Sequence, residues 1–598
     1  MIHKLVLLTA TIAISLGLAG APAADSDVLA EPHVPQIADA QRLYLSRLAR
    51  RAVGDFVGHK KIYESSYVPA ALIGKQFEAV VRIRQDGYLL AEGAGGPLPV
   101  HEAVRDAALA ASHRGLGNHT LDDVPIDGLL IEIELVGPPQ AIPSEYDWTE
   151  PRAVDAFLEP GVHGVVIQGP GVNARFCPTE VFTSDLTVAD ALKTLAERSL
   201  SDPSKIVKTK LMRFRSAHWY EPRNGAPIVS LHRGLTIVDQ EDVTARGLDD
   251  TIARLAEYLA YRQKPSGLFA YSYLPAEDRY DRDDNMVRQA GAVAAAAMHA
   301  KWSGKSASQG AADLAIRYHL KGKTDIPGVK DASFIATADG QNKLGVTALL
   351  ALALAEHPHP DKYADVRLRL INGMRWLQRP SGMFVTAFPP APRLNAQDYF
   401  PGEALLAMAM HYRYQPSADI LEAFDLAMDF YRQYFRNTRT PAFVPWQVQA
   451  YALMARFAKR QDYVQYVFEL TDWLAEKQLT PSNCTWPEMW GGIAAYQAGR
   501  AGVATAGYLE GFADALSLAR ETGDEERSQR YEQVVRGASR FVMQLQVRPE
   551  EAYFVRSPRD AIGGVRTTPA LNLLRIDHVQ HALVGLIKAR KVLYPDHD

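Results

Sequence analysis

Cysteine is almost missing from this sequence. Only Cys177 and Cys484 occur in 598 residues, and they lie in different segments. A disulfide framework is excluded, and two thiolates cannot build a structural zinc cluster. Charge of one sign is missing too. The 65 Lys and Arg face 69 Asp and Glu for a net charge of −4, which leaves no electrostatic footprint for a nucleic-acid partner. Beyond the N-terminus no apolar run approaches the ~20 residues that cross a bilayer. Nucleotide loops are likewise not found: "GVVIQGPG" lacks the Lys-Ser/Thr end of a P-loop and the G-x-G-x-x-G spacing.

What remains is a globular composition, 47% hydrophobic and 22% charged, in a chain too long for one ordinary domain. The first 24 residues read as an export signal. Lys4 supplies the charge, Leu5 to Leu18 the apolar stretch, and "APAA" the cleavage site near Ala23 or Ala24. A periplasmic or secreted protein without an integral membrane segment in the mature chain is expected; the alternative is an uncleaved anchor.

Two regions follow. Residues 40–235 mix periods. "LLIEIELVG" alternates as a half-buried strand does, "GVHGVVIQGPG" is a short apolar run closed by a turn, and "VADALKTLAERSL" has helical spacing after Asp185 as its cap. This is an α+β pattern. Residues 245–598 are helical throughout. Amphipathic runs beginning near Leu248, Ser308, Tyr363, Asp419, Asp462 and Glu526 alternate with all-apolar ones beginning near Asn285, Asn342, Gly402, Val444, Thr505 and Asp577. Twelve helices in alternating outer and inner roles predict six hairpins closed into an all-α (α/α)6 toroid. A turn written twice, "KPSGLFAYSYLP" from Lys264 and "RPSGMFVTAFPP" from Arg379, fits the link from an outer helix to the next inner one. Its Pro ends the helix and its Gly permits the turn.

The N-terminal region resembles the AMMECR-type domain over Phe77 to Glu221. The resemblance rests on "LIEIELVGPPQAI", "GVHGVVIQGPGVNARFCPTEVF" and "LMRFRSAHWYE"; the family's "RGCIG" signature is missing around Gly93 to Gly96. It implies a fold more than an activity. The C-terminal region resembles six-hairpin glycan-active proteins: glycoside hydrolases, uronate lyases and glucuronyl C5-epimerase-like proteins. "DDNMVRQAG", "YFPGEALLA", "GYLEG" and "GGVRTTPALNLLRIDHVQHALVGL" carry that resemblance.

In such a ring the loops entering the inner helices converge on one mouth, so polar residues at those helix starts are the site candidates. Glu403, Glu488, Glu510, Asp577 and His581 are the candidate acids and bases. Asp283, Asn285, Arg288, Tyr399, Trp446, Trp486, Tyr508, Arg566 and Arg575 are the candidate substrate contacts. Each has a plainer reading: caps for Asp283 and Asn285, dipole complement for Glu403, core packing for the tryptophans. Arg288, Arg566 and Arg575 are suited to hold carboxylates bidentately. Asp577, His578 and His581 are i, i+3 and i+4 neighbours, read as an orienting pair rather than a metal site. No metal and no cofactor are expected.

The leading expectation is therefore an exported enzyme acting on a polysaccharide or oligosaccharide, by hydrolysis or by lyase or epimerase chemistry at a uronate. The alternatives are a non-catalytic glycan-binding envelope protein and, from the D-x-D-D form of Asp281 to Asp284, a class II terpene-cyclase-like protein.

Overall fold

The computed structural model describes residues 30–595, apart from 62, 64, 66, 121–122, 144–156, 170, 201–205, 207–208 and 496–498. The export segment expected at residues 1–24 lies outside the described residues.

In the N-terminal region, β1 (Gln76–Gln85), β2 (Tyr88–Pro99), β3 (Leu130–Val136), β8 (Ser216–Glu221) and β9 (Val229–Leu231) form an antiparallel sheet in the order β2-β1-β3-β8-β9. Helices α1 (Asp39–His59) and α2 (Val100–Gly115) cover one face around Leu45, Val81, Ile133 and Trp219. A second sheet, β4 (Gln140–Ala141), β7 (Lys210–Phe214), β5 (Gly164–Gly169) and β6 (Val172–Phe176), carries α3 (Pro178–Thr183) and α4 (Val188–Ser199). Two local expectations fail. The cap of α4 is Thr187, whose hydroxyl accepts from the Asp190 amide, not Asp185. And β3 is not half solvated: Glu132 and Glu134 are fully buried against Arg82, Arg84 and His218. Alternation reports two different faces, but it does not say that one of them is wet.

The C-terminal region is the toroid. Among the described residues it holds twelve α-helices. The inner ones are α6 (Met286–Ser303), α8 (Leu344–Glu356), α10 (Phe400–Tyr412), α12 (Val444–Ala458), α14 (Ala504–Thr522) and α16 (Ile576–Leu593). Each packs on the next, and α16 closes on α6. Outer helices α5 (Ala245–Tyr261), α7 (Ser306–Leu320), α9 (Ala364–Trp376), α11 (Ala418–Thr438), α13 (Gln461–Ala475) and α15 (Glu525–Leu545) lie behind them. The inner helices are buried on nearly every side, which is why they carry Ala and Leu all round.

The doubled turn is one device used four times. Gln263 after α5 and Gln378 after α9 donate their side-chain amides to Ala311 and Ala423 of the following outer helix, both at 2.8 Å. Gln478 does the same to Val534 at 2.9 Å, and Gln546 to Thr251 of α5 at 3.1 Å, which closes the ring. Each turn places a glycine with positive φ against the neighbouring outer helix: Gly267, Gly382, Gly491 and Gly563. A Cβ at Gly267 would lie 2.7 Å from the Leu314 carbonyl oxygen, so neither the backbone angle nor the space admits a side chain.

Strands β10 (Ser272–Leu274), β11 (Arg279–Tyr280), β14 (Arg566–Thr568) and β15 (Leu571–Arg575) form a small sheet, β11-β10-β15-β14, beside the amino ends of α6 and α16; β12 (Lys323–Asp325) and β13 (Ser333–Ile335) form a separate hairpin. The N-terminal region docks on the segment after α15 and on this small sheet. Tyr220 stacks on Tyr553 at 5.2 Å, and Phe182 meets Phe554 edge-on at 5.4 Å. The Asn572 backbone amide donates to Asp185 (2.5 Å) and its side chain to the Phe182 carbonyl (2.7 Å).

Candidate active site

The amino ends of the inner helices bring most of the expected residues together, in two layers. At the rim, Arg288 from the first turn of α6 and Arg575 from the end of β15 both hold Asp577, the second residue of α16. Arg288 Nε lies 3.1 Å from its carboxylate, and Arg575 Nε and Nη2 donate to it at 3.0 and 2.7 Å. Arg288 Nη1 also donates to the Tyr271 hydroxyl. Burial alone would raise the Asp577 pKa. The adjacent His578, Arg288 and Arg575 overcome that and hold it far below the usual carboxylate range. Asp577 is therefore a fixed anion that aims two guanidiniums, not the proton donor or acceptor expected of it. Arg288 Nη2 and Arg575 Nη1 keep no partner among the described residues, and both side chains remain partly exposed. Tyr399 stands half exposed beside them, within electrostatic reach of Glu403 and Arg288.

One turn deeper lie Glu403 of α10, Trp446 of α12, Tyr508 and Glu510 of α14, and His581 of α16. His581 Nδ1 is 2.7 Å from Glu510 Oε1, and the ring meets the Trp446 edge at 5.8 Å. Burial would depress the imidazole, but Glu510, then Asp577 and Glu403, raise its pKa above the ordinary value. Glu403 is 4% exposed, and its Oε2 has no hydrogen-bond partner. Burial raises its pKa to about 8, with His581 pulling the other way. At neutral pH it is a neutral acid. Gly345 of α8 makes room for it: a Cβ there would lie 2.5 Å from Glu403 Oε2. Tyr508 is buried beside this layer, and its hydroxyl is pushed up by burial and by Tyr399.

Five candidates lie elsewhere or do another job. Glu488 sits in a short turn after α13, fully buried, bonded to Arg233 and 2.8 Å from His232. Burial would raise its pKa, but these partners hold it far down; it is an ion pair at the junction with the N-terminal region. Trp486 belongs to the same junction, against His163 at 5.8 Å and under Arg215 at 5.5 Å. Arg566 is 1% exposed and spent on Glu551 (2.8 Å) and Asn572 (3.0 Å), so it holds no ligand carboxylate. Asp283 is exposed in the loop before α6, and Asn285 caps that helix by accepting from the Val287 and Arg288 amides at 3.0 and 3.3 Å.

Sequence reasoning missed Tyr271 and Gly345. Tyr271 was hidden in the doubled turn. Gly345 showed only as a glycine opening an otherwise Leu- and Ala-rich helix. Among the described residues no group of three or more His, Cys, Asp or Glu could hold a metal ion, and no helix is long and apolar enough to cross a membrane.

Residues 46–219 match the AMMECR1 family model. None of the curated proteins matches the chain. Among solved structures, an uncharacterised protein from Pyrococcus horikoshii is 19% identical over 33% of this chain and 98% of its own, with a TM-score of 0.29. An unsaturated glucuronyl hydrolase specific for heparin is 9% identical over 59% and 99%, TM-score 0.42. A family 76 glycoside hydrolase from a bovine Bacteroides thetaiotaomicron strain is 9% identical over 78% and 97%, TM-score 0.43. The AMMECR1-like region thus precedes a toroid whose candidate site is built by toroid residues, with AMMECR1-like residues touching β15 through Asp185 and Phe182.

Proposed function

We propose that this protein is an exported glycan-processing enzyme, acting at the amino-end mouth of the toroid by proton transfer on a carboxylate-bearing saccharide. One observation carries the reading: a buried, neutral Glu403 with an unpartnered oxygen stands in one layer with the Glu510-backed His581. That places a proton donor and a proton acceptor in one mouth. Glu510 fixes the ring through Nδ1, which leaves Nε2 as the atom that takes a proton. Glu403 supplies one. The free edges of Arg288 and Arg575, both aimed by Asp577, favour a uronate over a neutral sugar.

The same inventory argues against hydrolysis by a carboxylate pair. Such chemistry needs two carboxyl groups free to act across the bond. Here Asp577 is tied to two arginines, Glu510 to His581, and Glu488 lies at the domain junction. Glu403 is left alone. Elimination or epimerisation at the carbon next to a carboxylate needs only the acid and base present.

The test is a panel of uronate-containing and neutral oligosaccharides. Absorbance reports unsaturated products, solvent deuterium uptake reports epimerisation, and new reducing ends report hydrolysis. Deuterium uptake or unsaturation that disappears in Glu403→Gln and His581→Asn supports the proposal. Reducing ends without either signal would replace it with hydrolysis, and saturable binding without turnover would replace it with a binding module.

A further inference from the structure

The ring is not filled to its carbonyl end. A cavity of about 410 Å³ runs down its axis below the candidate site. Its inner end is closed by buried Gly291, Trp446, Glu510 and Gln580, and it opens where Lys301, Arg413 and Lys591 stand exposed at the last turns of α6, α10 and α16. Between these ends the wall is apolar, with Met298, Leu349, Leu406, Met410, Leu453 and Val584 facing the axis. Five residues of α6 line it, from Gly291 to Trp302, a rise of about 16 Å at 1.5 Å per residue.

One feature marks this as more than a packing gap. On the wall, buried Gln449 accepts from Lys588 Nζ at 2.6 Å through its Oε1. The rim, by contrast, is unbalanced. Lys301 pairs with Glu356 at 3.5 Å, Lys588 with Asp514 at 2.7 Å and Arg456 with Glu521 at 2.7 Å. Arg413 and Lys591 have no acid within ion-pair distance among the described residues. The carbonyl ends of the inner helices carry partial negative charge and offset part of this excess.

We propose that this axial cavity binds a single-chain carboxylate amphiphile, its acyl chain along the apolar wall and its carboxylate at Arg413 and Lys591. The volume lies in the range of a small-ligand site, and the charges on its lining other than Arg413 and Lys591 are paired within the protein. The carboxylate end of this site lies at the opposite end of the ring from the proton-transfer layer, whose Glu510 and Trp446 close the cavity's inner end.

Titration calorimetry with hexanoate, octanoate, decanoate and dodecanoate below their micelle concentrations tests it, with Trp302 and Trp446 emission as a second readout. The expected result is one saturable site whose affinity rises roughly fourfold per methylene until the cavity is full. Arg413→Glu with Lys591→Glu, both on the surface, lowers dodecanoate affinity at least tenfold. Ala294→Phe, which fills the cavity from α6, abolishes binding while the helical circular dichroism is kept. Absence of saturable binding to the wild-type protein overturns the proposal. So does binding that neither the charge reversals nor Ala294→Phe changes, since that is adsorption elsewhere.

Discussion

Charges are buried in two places in this molecule, and the two are built on opposite principles. Between the sheets of the N-terminal region, Arg82 reaches Glu92, Glu132 and Glu134 at 2.7, 3.3 and 2.8 Å, Arg84 reaches Glu132 at 2.7 Å, His218 shares Glu132 at 3.1 Å, and Ser216 donates to Glu134. Every carboxylate in that layer is matched by cations or donors. In the toroid mouth, Asp577 is matched as thoroughly, but one turn deeper Glu403 has an oxygen with no partner at all. Matched buried charge holds a structure in register. An unmatched buried acid has no structural return, and its proton is the thing it has to offer.

The largest effect that would break this contrast is on activity. Glu403→Gln keeps shape and neutrality but removes the transferable proton, and His581→Asn removes the base. Each is expected to lower turnover by about 10²–10⁴-fold with the fold intact. Arg82→Met should do the reverse, leaving turnover per folded molecule unchanged while lowering unfolding free energy by about 3–5 kcal/mol, because buried Glu134 loses its main partner and buried Glu132 one of its two arginines. Denaturant titration beside kinetics of the same three variants checks both statements. A Glu403→Gln protein with full activity would end the contrast.

The two regions should also fail at opposite ends of the pH scale. Glu132 and Glu134 have folded pKa values below their ordinary 4.5, because their arginine and histidine neighbours outweigh burial. Their stabilisation is present above pH 4.5 and lost as pH falls through the depressed values. Glu403 has a folded pKa of about 8 against 4.5 unfolded. The folded state then binds the proton more tightly, so stability declines as pH rises from about 4.5 and the penalty is complete above about 8. Thermal melts between pH 5 and 9 should fall for the wild-type protein and stay flatter for Glu403→Gln, by on the order of a few kcal/mol across that window. Activity should be bell-shaped, lost on the alkaline side as Glu403 ionises and on the acid side as His581 protonates.

The ring was legible because its twelve helices differ in kind: α8 is apolar all round and α11 is striped, and only a closed set of hairpins buries one type behind the other. The site was half legible. Arg288, Glu403, Glu510 and His581 stand at helix starts, where local sequence places them. Glu488 and Arg566 misled because their partners, Arg233 and Glu551, are set by docking and by a turn that no spacing announces. The four Gln–Gly clasps show the same limit. In the two found from sequence the glycine follows the glutamine by four residues, as Gln263 and Gly267 do; in the other two an intervening loop hides the pairing of Gln478 with Gly491 and of Gln546 with Gly563.

A smaller effect probes whether the N-terminal region supports the mouth. Asn572 in β15 is held by Asp185 and the Phe182 carbonyl, three residues before Arg575. Asn572→Ala leaves that buried carbonyl and Arg566 Nε without a partner, and should cost about 1–3 kcal/mol. If β15 needs the clasp to aim Arg575, substrate KM rises while the alkaline limb set by Glu403 stays where it is. If both are unchanged, the N-terminal region stabilises the chain without reaching the site.

The smallest effect concerns the clasps. Gln378→Ala removes a donor to the Ala423 carbonyl, at the seam between α9 and α11 on the far side of the ring from the N-terminal region. Gln546→Ala removes the equivalent donor to Thr251, but also strips Arg254 of its 2.8 Å acceptor at the seam that closes the ring. The first should cost about 1 kcal/mol and the second more, since two buried or half-buried partners are orphaned instead of one. Equal losses would mean that the ring closes no more tightly at its last seam than at any other, and that its closure resides in the α16–α6 packing instead.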